Sequence, residues 1–291
     1  MWAIFCNPNS AGGKGARLKT GLIEELKLSG QNYLDISGET QACACENLKN
    51  FLSGSSSKEV RGVLVIGGDG TVSSAIQHMH DRFIPMGLVP AGTGNDFART
   101  LGLDIKHPLE NFKYFNAAEP ELVDLGFSND RYFAEILSTG FDSLVNERAN
   151  QLKFFSGRSK DNLSILLELP LFKPKSYSFK IDDVSFTSKA MLIAVSNGKS
   201  YGGGMKITPM ADIKDGQLDV MILGPVSKLE FLKVFPKVYE GGHVSHPAVK
   251  FMKGKRVHIS APAVAYADGE RIGELPIDAT VKKDALLVWR K

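Results

Sequence analysis

Cysteine is scarce in this sequence of 291 residues, which contains only Cys6, Cys43 and Cys45. The three form no CxxC pair, and no histidine pair at a zinc-binding spacing accompanies them. Zinc sites and small disulfide frameworks depend on such pairs. The scarcity argues against both classes and favours reduced thiols in a cytoplasmic protein.

Long apolar runs and dense charge are also lacking. No stretch approaches the roughly 18 to 20 apolar residues of a membrane-spanning helix. The first residues predict a strand and not a signal peptide, because no basic region precedes their apolar run. The net charge is only +3 and is not gathered into basic blocks, so nucleic acid is not expected as a partner. We expect a cytoplasmic protein that does not span a bilayer.

Two domains are predicted from the length and from a change of pattern along the chain. Residues 1–123 alternate strand-like and helix-like segments, which indicates an α/β domain with a mostly parallel sheet. Residues 124–291 contain strands with little helix between them, which indicates a mainly antiparallel β-sandwich. The last strand, 284–290, is compatible with either domain.

A glycine-rich loop follows the continuous apolar strand 63–66, at the end of a strand where parallel sheets bind ligands. It consists of Gly67, Gly68, Asp69, Gly70 and Thr71. Glycine lets backbone N–H groups approach phosphate oxygens, and the helix predicted over 71–80 points its positive end at them. The alternative is a strand-to-helix turn that requires glycine for its geometry alone. An aspartate among the glycines disfavours that alternative.

A second glycine-rich loop repeats this arrangement after the next predicted strand, 85–89. Its candidate nucleotide-binding residues are Gly92, Thr93, Asn95 and Asp96. Thr93 can bond a phosphate or ribose oxygen, and Asn95 or Asp96 can cap the following helix. Taken alone, the segment is equally compatible with a capped helix start that binds no ligand.

The two loops together, GGDGT and PAGTGNDFAR, resemble the catalytic domain of the diacylglycerol kinase, sphingosine kinase and bacterial lipid kinase superfamily. The nucleotide-binding domain of that superfamily is similar to NAD kinase. The resemblance implies that the opening loop, with Asn7, Pro8, Asn9 and Ser10, also contacts the nucleotide. It further implies a hydroxyl contact after the second strand, for which Ser37 and Thr40 are the candidates.

This resemblance implies an ATP-dependent lipid kinase that transfers the γ-phosphate to a hydroxyl of a membrane lipid. Diacylglycerol or a related glycerolipid is the first candidate for the acceptor. The implied cofactors are ATP and Mg²⁺, with Asp69 organising the catalytic ion. The alternatives are an NAD kinase-like enzyme and a non-catalytic nucleotide-sensing module.

Two short motifs in the second domain acquire roles only through the resemblance. It implies Glu270 as the base that accepts the hydroxyl proton, with Asp268 as a second catalytic residue. It implies that Asp215, together with the backbone carbonyls of Asp212 and Gln217, holds a structural Mg²⁺, for which oxygen donors are suitable. From the residues alone, a surface turn is the first interpretation of both motifs.

A lipid acceptor implies peripheral and reversible association with a membrane surface. Two stretches, 152–160 and 171–175, place large apolar groups beside cations, as binding to an anionic interface requires. Burial of their phenylalanines in the second core is the alternative. A homodimer is compatible with the sequence.

Overall fold

The computed structural model describes residues 1–7, 10–151 and 167–291. The chain divides into two units. Unit 1 comprises Met1–Asp124 and Lys283–Lys291, and unit 2 comprises Leu125–Lys282. The end of the chain therefore belongs to the same unit as its beginning.

Unit 1 contains a parallel sheet whose central strands are buried. Its strands are β1 (Trp2–Cys6), β2 (Tyr33–Asp35), β3 (Gly62–Gly67) and β4 (Met86–Pro90). They lie in the order β2, β1, β3, β4, and Val63 of β3 pairs with Ala3 on one side and Met86 on the other. Val288, at the end of a long strand over 277–288, pairs in parallel with Met86. An apolar run such as β3 is typical of a strand covered on both faces.

Helices connect these strands as parallel pairing requires. They are α1 (Lys14–Leu28), α2 (Gln41–Ser53), α3 (Asp69–Met79), α4 (Asp96–Thr100) and α5 (Glu110–Ala117), with short 3-10 helices at Ser10–Gly13 and Ser55–Lys58. Helix α3 begins before the predicted Thr71, because the carbonyl of extended Gly68 accepts hydrogen bonds from the N–H groups of Thr71 and Val72. The first glycine-rich loop therefore runs directly into a helix N-terminus.

Unit 2 is built mainly from antiparallel strands. Its first hairpin is formed by β6 (Arg131–Phe133) and the last residues of β5 (Glu121–Ser128), a strand that begins in unit 1. The other strands are β7 (Ile136–Gly140), β8 (Lys175–Ile181), β9 (Val184–Ala190), β10 (Leu192–Ser196), β11 (Leu218–Leu223), β12 (Val249–Gly254), β13 (Arg256–Ser260), β14 (Val264–Ala267), β15 (Glu270–Glu274) and β16 (Ile277–Val288).

These strands form two layers around one apolar core. One layer has the order β12, β11, β10, β7, β14, β15, and the other is formed by β9, β8, β13 and the first residues of β16. Leu137, Val220 and Ile259 are among the core residues and are each 0% exposed. The predicted fold class, a mostly parallel α/β sheet and a mainly antiparallel second region, is confirmed.

Two helices of unit 2 share a smaller apolar cluster. They are α6 (Phe141–Gln151) and α7 (Lys228–Val234), and a 3-10 helix over Phe235–Glu240 follows α7. The helix predicted over 228–239 is therefore shorter than expected, because Pro236 has no N–H group with which to continue it. The predicted helix 161–169 lies largely outside the described residues. Over the described ranges, no helix has the length and apolarity that crossing a bilayer requires.

Candidate active site

The two glycine-rich loops of unit 1 touch each other through glycine. A Cβ atom on Gly68 would lie 2.9 Å from the Cα of Gly92, and one on Gly92 would lie 2.6 Å from the Cα of Gly68. Both distances are shorter than real Cβ contacts allow, so a larger residue at either position would push the loops apart. The loops meet because β3 and β4 are neighbouring parallel strands whose carboxyl ends lie at one edge of the sheet.

Asp69 fastens the second loop to the first. Its Oδ2 accepts a hydrogen bond from the N–H of Asn95 at 2.8 Å, and its Oδ1 accepts one from the N–H of Asp96 at 2.7 Å. The chain packs so closely here that a Cβ on Gly94 would lie 2.5 Å from Oδ2 of Asp69. The carboxylate of Asp69 therefore caps the start of α4 from the neighbouring loop.

The electrostatics of Asp69 favour a cation beside it. Burial, and then the nearby carboxylate of Asp96, raise the pKa of Asp69 to about 6, although the two backbone N–H groups act in the opposite direction. A Cβ on Gly94 would also lie 3.3 Å from Oδ2 of Asp96, so the two carboxylates converge on the same glycine. Mg²⁺ is commonly held by one or two carboxylates together with substrate phosphates. The pair of aspartates fits that ion.

Asn95 presents a buried acceptor toward the loops. Its backbone is left-handed, with φ of 55°, and its Nδ2 donates to the carbonyl of Gly92 at 2.8 Å. Its Oδ1 is buried and has no hydrogen-bond partner among the described residues. Buried polar atoms are normally satisfied, so this oxygen fits a ligand that brings a hydroxyl or amino donor. Thr93, between the glycines of the loop, is exposed.

No contact within the described residues and no unusual backbone angle explains why residue 70 is a glycine. It is exposed, its φ is not in the left-handed region, and a Cβ atom there would meet no heavy atom within 4 Å. Close approach of a phosphate to the backbone of α3 would explain the glycine. Thr71 has a different role, because its buried side chain packs over Gly67, where a Cβ would lie 2.3 Å from the Cβ of Thr71.

The opening loop is connected to Gly70 through Gln41, a residue that the sequence did not single out. Nδ2 of Asn7 donates to Oε1 of Gln41 at 2.9 Å, and Nε2 of Gln41 donates to the carbonyl of Gly70 at 3.2 Å. Of the other predicted residues of this loop, Pro8 and Asn9 lie outside the described residues, and only the backbone of Ser10 is described. Gln41 therefore joins two of the predicted nucleotide-binding segments.

The two candidate hydroxyls after β2 are both used locally. Oγ of Ser37 donates to the carbonyl of Ile4 at 3.4 Å. Oγ1 of Thr40 accepts from the N–H of Cys43 at 3.2 Å and so caps α2. Ser37 uses its proton and Thr40 uses an oxygen lone pair, so Thr40 keeps the donor that a phosphate would require. The nucleotide contact of Ser37 stays a prediction.

In unit 2, the carboxylate of Asp268 is hydrogen-bonded to backbone N–H groups, whereas Glu270 is exposed. Asp268 has a φ of 46°, and its carboxylate accepts from the backbone N–H groups of Ala134 at 2.7 Å, Glu135 at 3.1 Å and Ile136 at 3.0 Å. Glu270 is exposed at the start of β15. Asp268 thus fixes the turn that presents Glu270. A catalytic role for either residue stays a prediction.

The predicted structural metal ligands lie in one acidic turn before β11. Asp215 accepts from the N–H of Gln217 at 2.9 Å through Oδ1 and from Nζ of Lys253 at 2.7 Å through Oδ2. Burial raises the pKa of Asp219. The neighbouring cation of Lys253 lowers this pKa, and the carboxylates of Asp215 and Asp212 raise it. Oxygen donors suit Mg²⁺ in kind, but no group of three or more acidic, cysteine or histidine side chains among the described residues is placed to hold a metal ion. An ion bound by Asp215 would have to share Oδ2 with Lys253.

Comparison with known proteins accounts for nearly the whole chain. Residues 1–127 match the family model of the diacylglycerol kinase catalytic domain, and residues 135–290 match that of the YegS C-terminal NAD kinase beta sandwich-like domain. A diacylglycerol kinase of Mycobacterium tuberculosis is 34% identical over 258 residues, covering 87% of this chain and 82% of the relative. A diacylglycerol kinase of Bacillus subtilis is 29% identical, covering 67% and 65%.

The fold is also found in a solved structure. A crystal structure of a diacylglycerol kinase from Bacillus anthracis superimposes with a TM-score of 0.73 at 19% identity, covering 100% of this chain and 96% of that one. Fold and catalytic-domain match together define a kinase of the lipid kinase class. The chain belongs to the diacylglycerol kinase family, as its two loops predicted.

Proposed function

We propose that the protein is an ATP-dependent kinase that transfers the γ-phosphate to a hydroxyl of a membrane lipid, with diacylglycerol or a related glycerolipid as acceptor. The observation that carries the proposal is the pair of glycine-rich loops fastened together by Asp69. Support for the acceptor comes from the relatives, which are named diacylglycerol kinases. The choice of ATP rests on the family of the catalytic domain.

The residues of unit 1 would hold the nucleotide. The backbone N–H groups at the start of α3, next to the open space at Gly70, would bind its phosphates. Oδ1 of Asn95 would accept from a hydroxyl or amino group of the nucleotide. Asp69 and Asp96 would hold Mg²⁺, which neutralises phosphate charge during transfer when it is bound. Gln41 would keep the opening loop in register with Gly70.

Glu270 would act as the base for the acceptor hydroxyl. A general base must be accessible and must be held in position. Glu270 is exposed, and the turn before it is fixed by the three backbone hydrogen bonds to Asp268. Most of the acceleration in phosphoryl transfer comes from positioning and charge neutralisation, so Asp268 would contribute by holding Glu270 in place.

The acceptor is tested with purified protein, ATP and a panel of lipid alcohols in mixed detergent micelles. The panel contains diacylglycerol, phosphatidylglycerol and a sphingoid base at equal mole fraction. Mass spectrometry of the products should show phosphatidic acid as the main new lipid. A main product derived from either of the other alcohols would contradict the proposed acceptor while leaving the kinase activity intact.

A further inference from the structure

Three leucines of unit 2 are exposed where two elements adjoin. Leu171 is 74% exposed in the turn before β8, and Leu229 and Leu232 of α7 are 72% and 42% exposed. Such large apolar side chains are normally buried. Together with the exposed lysines Lys173 and Lys233, they are called the leucine patch below.

The patch is held in place by groups beneath it. Nζ of Lys228 donates to the carbonyls of Leu169 and Phe172, which ties the first turn of α7 to the turn that carries Leu171. The ring of Phe141 packs against Phe172 at 5.4 Å and against Phe231 at 5.1 Å. Both elements are therefore anchored in the same apolar cluster, and their leucines project away from it.

Two interpretations of stretch 171–175 were open, contact with a membrane and burial of its phenylalanine, and they apply to different residues of the stretch. Phe172 is only 5% exposed, so this phenylalanine is buried in the core as the alternative held. Leu171 beside it is among the exposed residues. The other candidate stretch, 152–160, lies outside the described residues. The sequence could not indicate that α7 adds to the exposed surface.

The charge around the patch is positive. Lys173, Lys233 and the nearby Lys237 are exposed, and none of the ion pairs between described residues involves them. Of the acidic side chains on these elements, Glu168 pairs with Arg148 at 2.6 Å, Glu230 lies 3.2 Å from the ring of His246, and Glu240 is exposed at the end of the 3-10 helix that carries Lys237. The surface thus combines exposed leucines with three exposed lysines, against two carboxylates, Glu230 and Glu240, that have no Lys or Arg partner among the ion pairs of the described residues.

We propose that the leucine patch docks the protein on an anionic lipid bilayer, with the leucines entering the interface and the lysines contacting acidic head groups. Exposed leucines beside lysines combine the apolar and cationic groups through which interfacial segments bind a bilayer. Complementary charge selects the occupant, because lysines that flank apolar groups favour anionic lipid. The proposal rests on the proposed function, since a lipid acceptor brings the enzyme to such a surface.

The test is co-sedimentation of the full chain with vesicles of phosphatidylcholine, with and without phosphatidylglycerol. The wild type should bind the anionic vesicles, and binding should weaken as salt rises. Replacing the leucines together (Leu171→Ser, Leu229→Ser, Leu232→Ser) should lower the partition coefficient by about tenfold or more. Replacing the cations (Lys173→Gln, Lys233→Gln) should lower it by about tenfold and remove most of the salt dependence.

Matched controls remove exposed leucine and lysine side chains at other places on the surface. Leu28→Ser alters another exposed leucine, and Lys180→Gln with Lys189→Gln removes two exposed cations from the β8–β9 hairpin. These variants should bind vesicles like the wild type. Patch variants should also phosphorylate short-chain diacylglycerol in detergent micelles at the normal rate, which distinguishes this proposal from the proposed function.

Three results would overturn the proposal. One is wild-type binding that is the same for neutral and anionic vesicles. Another is binding that survives both sets of patch substitutions in variants whose melting temperature is unchanged. The third is an assembly of two copies through the patch. If gel filtration shows a wild-type dimer that the leucine substitutions convert to monomer, the patch is an interface between two copies of the chain and not a lipid-binding surface.

Discussion

Asp69 and Asp268 make similar hydrogen bonds and differ in what surrounds them. Each carboxylate accepts from consecutive backbone N–H groups of a distant segment, residues 95–96 for Asp69 and residues 134–136 for Asp268. Asp69 has a second carboxylate, that of Asp96, beside it, and burial and then this carboxylate raise its pKa to about 6. Asp268 accepts three such bonds at the base of an exposed turn.

The difference indicates how each aspartate contributes. Hydrogen bonds from backbone N–H groups stabilise an ionised carboxylate, so Asp268 is suited to holding a turn. The same bonds at Asp69 are opposed by burial and by like charge, which a cation would relieve. Asp69 therefore combines a structural hydrogen bond with a charge available to a ligand, whereas Asp268 holds the turn before Glu270, the residue that we propose as the base.

The largest effect is expected for Glu270→Gln. Loss of a general base should lower turnover by roughly two to four orders of magnitude and leave ATP binding nearly unchanged. Steady-state kinetics and nucleotide titration measure the two quantities separately. Glu274→Gln is the matched control, because Glu274 is also exposed on β15. Equal turnover in Glu270→Gln and the parent would remove Glu270 from the mechanism.

The comparison of the two aspartates is tested directly by paired asparagine variants. Asp268→Asn keeps a residue that tolerates positive φ but loses charge-assisted hydrogen bonds, so the free energy of unfolding should fall by about 2 kcal/mol. Asp69→Asn should cost less than half as much, because it also removes the repulsion from Asp96. Denaturant midpoints provide both values. An equal loss in the two variants would mean that the carboxylates have the same role.

Substitutions at two glycines of the first loop distinguish a role in packing from a role in ligand contact. Gly68→Ala should destabilise the protein, because its Cβ would collide with the backbone of Gly92. Gly70→Ala should leave the melting temperature almost unchanged yet weaken ATP binding by about tenfold or more, since a Cβ would occupy the space where we propose that a phosphate binds. Calorimetry on both variants measures stability and affinity. Normal ATP affinity in Gly70→Ala would place the phosphates elsewhere.

The kcat/KM for ATP should fall at acid pH because Asp69 becomes protonated. Its pKa of about 6 in the folded protein lies above its ordinary value of 3.8, so the carboxyl group becomes protonated as pH falls through 6 and loses the charge that we propose holds the ion. We expect kcat/KM for ATP to fall about tenfold per pH unit below that value. Stability should show the opposite sign, because the cost of ionising buried Asp69 is present above pH 6 and is relieved as pH falls. A kcat/KM without an acid limb would contradict the assignment.

The smallest effect concerns the acidic turn of unit 2. If Asp215 holds a structural Mg²⁺, Asp215→Ala should lower the melting temperature and abolish its dependence on Mg²⁺. The measurement is made without nucleotide and in an Asp69→Asn background, so that the first site does not contribute. Lys253→Met is the companion variant, and its stability should respond more strongly to Mg²⁺ because Oδ2 of Asp215 is released. Unchanged melting with retained Mg²⁺ dependence in Asp215→Ala would exclude that role.

The sequence was informative where function depends on local pattern. The apolar run of β3 and the glycines after it predicted both the strand and the loop, because glycine spacing and apolar continuity are local properties. The family followed from the same residues and was confirmed by the family models. Changes at element ends, such as the earlier start of α3, reflect hydrogen bonds to Gly68 that propensity does not encode.

Contacts between distant residues could not be predicted in this way. Gln41 is an ordinary first residue of a helix until its side chain is seen to reach both Asn7 and Gly70. The partners of Asp268 lie more than a hundred residues earlier in the chain, so its Asp-Gly turn could not be distinguished from a turn whose aspartate has no distant hydrogen-bond partner. The pattern of α7 likewise did not show that Phe231 would be buried and Leu229 exposed.

The most direct test of the account is the destination of the labelled phosphate. Purified protein is given ATP labelled at the γ-position, with total lipid extract, with NAD, or with neither. We predict label in the organic phase with lipid extract, and none in NAD. Label in NAD would instead identify an NAD kinase-like enzyme. Nucleotide binding without label transfer in any sample would identify a non-catalytic nucleotide-binding module, and either result would contradict the proposed lipid phosphorylation.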